Sequence, residues 1–268
     1  MPSHLKSPLL SRTFVGALAL FFLTNSLMKP INFKDLILFE DEDYVLINKP
    51  PYISTLQDRA PEGKQSLIEL ARDYVATAQM GHRLDKETSG VLAIAKNPEA
   101  YRHLSLQFEH REIAKLYHAV VEGVQEFDNI CVNLPILPLR TGKVKIDTQE
   151  GKEAMTFFRT LQMFRHHTLV ECRPITGRMH QIRIHLAVLK APIVADEAYG
   201  GQHLYLSQIK RKGFNMKQTD EEQPLIQRVV LHARSLLFKR MNGEEISVEA
   251  PYPKDIRALL NQLEKHSG

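Results

Sequence analysis

A mixed fold of strands and helices around a full hydrophobic core is what the sequence predicts, on three observations. The chain has 268 residues, 43% of them hydrophobic, enough for one large domain or two fused lobes. Strand-type and helix-type runs alternate from about residue 36 onward, with no internal repeat and no low-complexity linker. Charge is nearly balanced, 35 Lys and Arg against 31 Asp and Glu for a net +4, which describes a globular chain rather than a disordered one.

The elements follow in order. Residues 14–23 (FVGALALFFL) form an apolar run after Lys6 and Arg12. A membrane span needs about 20 apolar residues, and this run is roughly half of that. A signal peptide also begins with a basic start and a short apolar stretch, but no A-x-A-type cleavage site follows. A third reading starts translation at Met28, where MKPINFKDLILFEDEDYVLINKP opens a clean folded pattern. The expected organisation is therefore an N-terminal extension over residues 1–28, with 1–27 dispensable, and a folded domain over residues 29–268.

Residues 36–39 and 44–48 read as two strands joined by the acidic turn Glu40-Asp41-Glu42-Asp43. Four adjacent acids can hold a cation, although a charged hairpin tip is the commoner meaning. Lys49-Pro50-Pro51 then breaks regular structure. The spacing predicts a helix over 66–77, capped by Ser66, with Leu67, Leu70, Ala71 and Val75 as its apolar stripe. Beyond a Thr-Ser-Gly turn at residues 88–90, a buried strand is expected over 91–95, a helix over 99–108, and strands over 116–121, 155–164 and 168–172. Thr176-Gly177 signals a helix start, with Met179, Ile182, Leu186 and Leu189 as its buried face. His180 and Arg183, three apart, then share another side and can face a cleft. Cys131 and Cys172 are too few for a disulfide framework and lie in apolar strand-like runs, so they read as reduced core thiols in a reducing, cytoplasmic compartment.

The stretch carrying the most chemistry is HRLDKETSGVLAIAK, residues 82–96. Asp85 stands among His82, Arg83 and Lys86, an acid facing a cationic surface, as suits an enzyme with an anionic substrate. A second basic concentration runs from Arg173 to Lys190 with Arg178, Arg183, His180 and His185 and no acid at all. A third is Lys210-Arg211-Lys212, which fits a phosphate backbone or simply a solvated loop.

Other site chemistries fail on spacing. His180 and His185 are five apart and so diverge on a helix, and H-E-x-x-H is absent, which argues against a zinc helix. A serine nucleophile elbow needs glycine two before Ser89, where Glu87 stands. Gly142-Lys143 lacks the glycine-rich lead of a phosphate loop.

HRLDKETSG, the KLYHAVVEG strand at 115–123, RPITGRMHQIRIHL from 173, the PIVADEAYG return and LHARSLLF at 231–238 come in an order that resembles the RluA-type pseudouridine synthases. The opening ILFEDEDYVLINKP is similar to that family's first segment, and the match covers nearly all of residues 33–250. Residues 52–81 match only loosely. Residues 1–32 are too short for the S4-type RNA-binding domain many members carry, so recognition would rest on the catalytic domain, 29–268.

The resemblance implies an α+β pseudouridine synthase fold, a mixed, mainly antiparallel curved sheet with flanking helices and a central catalytic cleft. It implies isomerisation of uridine in ribosomal or transfer RNA, with no cofactor consumed; the spacing and the short apolar run lead to no metal and no membrane association, and a monomer is the default. The family's catalytic aspartate falls on Asp85. It would act either as a nucleophile on the sugar or base, or by stabilising an oxocarbenium-like or glycal intermediate while shuttling a proton. Tyr117 would stack on the uracil and Arg183 would orient the carboxylate. Taken singly, each of the three has a commoner structural role, as turn cap, core tyrosine or surface arginine. His82, Arg83, Thr88, Lys115, Arg178, His180 and Gln181 are the expected RNA contacts, the last three equally readable as a polar helix end, and Arg83 is expected to fill the space left by an extruded uridine. An inactive RNA-binding assembly factor is the alternative, opposed by the joint presence of Asp85, Tyr117 and Arg183. A sugar hydrolase would want a second positioned acid.

Overall fold

The computed structural model describes residues 31–57, 65–210 and 221–267. The N-terminal readings and Arg211-Lys212 lie outside these residues. Among the described residues no helix is long and apolar enough to cross a membrane. The chain divides into two units, Met1–Asp35 and Leu36–Gly268. In the first, the Asn32 side-chain amide donates to Asp35 Oδ1 at 3.1 Å.

The second unit opens with β1 (Ile37–Glu40) and β2 (Tyr44–Lys49), an antiparallel hairpin. Its acidic turn is held from within: Asp41 Oδ1 accepts the N–H groups of Asp43 and Tyr44 at 2.9 and 2.7 Å. Lys96 and Arg240 balance Glu40 and Asp41 from outside, at 2.9 and 3.5 Å. Helix α1 (Leu67–Tyr74) begins at the expected cap, where Ser66 N–H and O–H both donate to Glu69. It ends earlier than the spacing predicts because Val75 is extended, and its buried residues are Leu67, Ile68 and Ala71, not Leu70 or Val75.

After the two-residue β3 (Gln79–Met80) come β4 (Ser89–Ala95), α2 (Pro98–Glu109) and β5 (Ala114–Glu122). Ser89-Gly90 belong to β4 itself, so the expected turn ends at Thr88. Next are β6 (Ile130–Asn133), the small hairpin β7 (Ile136–Pro138) and β8 (Val144–Ile146), and the long pair β9 (Met155–Met163) and β10 (His167–Pro174). Helix α3 (Gln181–Val188) starts after His180, not at Thr176-Gly177. Ile182 and Leu186 are buried on it as expected, Leu189 packs against the core, and Met179 is exposed. The chain closes with α4 (Leu206–Ile209), β11 (Leu231–Lys239), β12 (Glu245–Glu249) and α5 (Lys254–Lys265).

Ten of these strands form one sheet in the order β1-β2-β4-β11-β5-β10-β9-β6, with β3 added to β4 and β12 to β11. Every pairing is antiparallel except β4 with β11, which touch in parallel through Ser89–His232 and Gly90–Ala233. Two hydrophobic clusters flank that junction. One gathers β5, β10, α3 and α5; the other gathers β2, β4, α2 and the β11–β12 hairpin. Gly90 is required where they meet, because at φ +117 an added Cβ would lie 2.1 Å from the Ala233 carbonyl oxygen. Cys172 is buried as expected, but Cys131 is exposed on β6, whose outward residues face away from the core.

Candidate active site

The loop between β3 and β4 brings Asp85 to the junction, and its backbone is fastened on both sides of that residue. Before it, Leu84 is buried and exchanges two hydrogen bonds with the Thr55 hydroxyl, at 2.8 and 3.2 Å. After it, Thr88 N–H returns to the Asp85 carbonyl at 3.0 Å. The next three carbonyls all meet buried cations. Lys49 Nζ donates to Lys86 O and Thr88 O at 3.1 and 2.8 Å, and Arg228 donates to Glu87 O at 2.8 Å. Burial, with repulsion from Arg228 and against the pull of Asp85, lowers the Lys49 pKa to about 7. Arg228 is itself neutralised by Asp255 through bonds of 2.7 and 3.0 Å. The bond from Arg228 is charge-assisted, and with the Lys49 bonds it makes the loop a rigid mount rather than a mobile flap.

The opposite wall is the start of α3. Gln181 is fully engaged there: its oxygen accepts from Thr176 Oγ1 and Arg178 N, and its amide donates to Met155 O and Thr156 Oγ1, at 2.7 to 3.0 Å. It lines the cleft but serves as a bracket for residues 176–181 and has no donor to spare for a ligand. His180, at φ +52, then points Nε2 at Asp85 Oδ2 across 3.7 Å. Arg183, one turn on, reaches the same oxygen at 3.9 Å.

Arg183 has a nearer carboxylate that the sequence reading missed. Asp196, fully buried, takes Arg183 Nε and Nη2 at 2.7 and 2.6 Å, and the Tyr199 ring lies 5.0 Å from the guanidinium carbon. Burial works against the charged guanidinium, but the Asp196 bonds and the Asp85 charge outweigh it and raise its pKa. The available signal was charge: residues 173–190 carry four cations and no acid, and Asp196 is the next acid along the chain.

Arg83, Asp85, Thr88, Lys115, Tyr117, Arg178, His180 and Gln181 line one cleft. Tyr117 is a neutral phenol there, its pKa raised by burial and then by Asp85. Lys115 donates to the carbonyls of Ile175 and Thr176, and burial followed by repulsion from Arg111 lowers its pKa to about 8. Arg178 bonds the Glu153 carbonyl at 3.0 Å, and Arg83 projects outward, exposed. His82 is not in the lining. Its Nε2 accepts from Ala93 N–H at 2.9 Å and its ring stacks on Phe108 at 4.5 Å, a packing role, with burial lowering its pKa to about 3.

A fastened carboxylate faced by a guanidinium and an imidazole, with a tyrosine in the same basic cleft, can stabilise positive charge developing on a sugar or attack its carbon. The model of the RNA pseudouridylate synthase family matches residues 43–188, more than half of the chain. The chain belongs to this family. It is similar to an RNA pseudouridine synthase of Zymomonas mobilis, 34% identical over 224 residues that cover 81% of this chain and 94% of the relative. It is also similar to ribosomal large subunit pseudouridine synthase D of Xanthomonas campestris pv. campestris, 34% identical over 239 residues, covering 87% and 70%. Among solved structures, human RNA pseudouridylate synthase domain containing 4 superposes with a TM-score of 0.67 at 25% identity, covering 91% of this chain and 98% of that one. The expected α+β pseudouridine synthase fold and RluA-type membership are thus observed, and the protein is an isomerase of the family that acts on RNA.

Proposed function

We propose that this pseudouridine synthase converts uridine in large-subunit ribosomal RNA to pseudouridine in the cytoplasm, with residues 29–268 as the catalytic domain and Asp85 as the reacting carboxylate. The substrate class rests on the names of relatives such as the Xanthomonas enzyme. The assignment of Asp85 rests on one observation: its carboxylate, in the cleft on a mount fastened by Lys49 and Arg228, is faced by His180 of the lining and, from behind the lining, by Arg183.

The reaction breaks the bond from C1′ of ribose to N1 of uracil and forms one from C1′ to C5. The C5 proton leaves and N1 gains one, so no electrons are exchanged with any other molecule and no redox cofactor is called for. Asp85 answers the electron demand at C1′ once N1 departs, either by bonding to it or by charge alone. Arg183 and His180 hold the carboxylate's orientation. Tyr117 supplies a flat neutral surface against which the freed uracil can turn without escaping. Arg83, Lys115 and Arg178 provide the cationic rim for phosphates on either side of the target.

Release of tritium from ribosomal RNA carrying [5-³H]uridine tests the reading, because C5 must lose its hydrogen when it bonds to C1′. The parent protein should release it and Asp85→Asn should not. Equal release by both would refute the assignment of Asp85, and none by either would refute the choice of RNA.

A further inference from the structure

Tyr199 touches both groups that face Asp85. Its ring lies beneath the Arg183 guanidinium, and its hydroxyl oxygen is 2.8 Å from His180 Nδ1. The same oxygen accepts the Val144 N–H of β8 at 2.9 Å. A backbone N–H can only donate, so one lone pair of the phenol oxygen is committed and its single proton is free to point at the imidazole.

We propose that Tyr199 is a positioning residue that holds His180 in the tautomer with the proton on Nε2, turning an N–H toward Asp85. Two independent contacts favour the same tautomer. At Nδ1, the phenol proton needs an acceptor. At Nε2, 3.7 Å from Asp85 Oδ2, a lone pair would oppose the carboxylate's own, whereas an N–H attracts it. Burial lowers the imidazole's pKa; Asp85 and Asp196 pull it up and Arg183 and Arg83 push it down, with a net fall that favours the uncharged ring. The left-handed backbone at His180 adds a reason for an anchor, because an L-residue keeps φ +52 only where its surroundings insist. Tyr199, through Val144, ties that anchor to the β7–β8 hairpin.

The functional consequence rests on the reading of Asp85 as the reacting carboxylate. With Nε2–H turned inward, His180 presents a positive N–H dipole to Asp85 across 3.7 Å and can meet the developing negative charge on uracil. It is not a base competing for the C5 proton.

The test uses the whole protein and separates that reading from the tautomer itself. Long-range ¹H–¹⁵N spectra of ¹⁵N-histidine-labelled protein, with His180→Gln for assignment, should show His180 protonated at Nε2 in the parent and mixed in Tyr199→Phe. Tyr199→Phe should lower kcat on the order of tenfold, the usual loss when an orienting partner is removed, with KM unchanged within about twofold. In the double variant Tyr199→Phe/His180→Gln, the kcat losses of the two single variants should not add, because glutamine supplies the inward N–H without help from the phenol. A parent protonated at Nδ1, an unmoved tautomer in Tyr199→Phe, or additive losses in the double variant would each overturn the proposal. If Asp85→Asn retained tritium release while His180 kept its Nε2 proton, only the assignment of Asp85 would fall.

Discussion

Asp196 and Arg183 form a bidentate pair with both partners withdrawn from solvent, and that pair leaves Arg183 Nη1 as the nitrogen turned to Asp85. Two parallel N–H···O bonds fix a planar guanidinium in direction as well as place, which a lysine at 183 could not reproduce. Asp196→Asn should cost about 3 kcal/mol of stability, because a buried cation loses its counterion. It should also lower kcat on the order of 100-fold, as loss of an aimed donor does. Urea unfolding and tritium release measure the two effects. Normal activity in a folded variant would show that Arg183 needs no help to face Asp85.

The cleft's positive charge depends on pH through Lys115, whose pKa burial and Arg111 bring down to about 8. The protonated form attracts phosphate, so affinity for RNA should be full below that value and fall as pH rises through it. Between about pH 6.5 and about pH 9 the loss should be roughly fivefold, less than the loss of a whole ionic contact because phosphate itself favours the ammonium. Lys115→Gln should bind more weakly at the low end and show a flat profile, checked by fluorescence anisotropy at constant ionic strength. A profile as steep as the parent's would place the titrating group elsewhere.

The parallel touch of β4 and β11 makes a separate demand. An alanine at 90 would meet the Ala233 carbonyl oxygen at 2.1 Å and would also have to accept φ +117. Neither strand can retreat, since β4 is held by β2 and β11 by β5. Gly90→Ala should therefore cost at least about 3 kcal/mol, from strain and overpacking together. Asp85, five residues away, should lose its activity with the loop. Thermal unfolding measures the loss of stability, and a shift of only a few degrees would mean the junction can widen.

Much of this was legible in the chain, and the omissions have physical reasons. Long runs such as residues 116–121 and 155–164 carry enough apolar and β-branched residues to declare a strand; the observed β5 contains the first, and β9 covers the second up to Met163. The two or three residues of β3, β7 and β8 are shorter than any period can register, and what makes them strands is a partner elsewhere. The start of α3 was misplaced because Thr176 and Gly177 look like a cap. In the fold, Gln181 claims the Thr176 hydroxyl, and the helix waits for His180. Asp85 stood out because its neighbours are basic. Asp196 and Tyr199 did not, since their meaning lies in Arg183 and His180, which only the fold places beside them. His82, basic and next to Arg83, looked like a ligand contact, but the loop turns its ring inward onto Phe108.

Arg83 remains exposed at the cleft mouth and forms no hydrogen bond or ion pair among the described residues. A uridine in a stem must leave its stack before the proposed action of Asp85 at C1′, at a cost of a few kcal/mol. A guanidinium is flat, cationic and able to stack on the bases left behind, so Arg83 can offset part of that cost and also meet a phosphate. These two roles separate by substrate. Loss of a phosphate contact weakens every RNA alike and lowers the slope of log affinity against log salt by about one. Loss of the stacking role is felt only where a base must be extruded. Arg83→Ala should therefore reduce kcat/KM on the order of tenfold more for a uridine in a stem than for the same uridine in an unpaired strand. Equal losses on the two RNAs would leave Arg83 as a phosphate contact alone, and the uridine's place in the stack would have to be filled from another residue of the cleft.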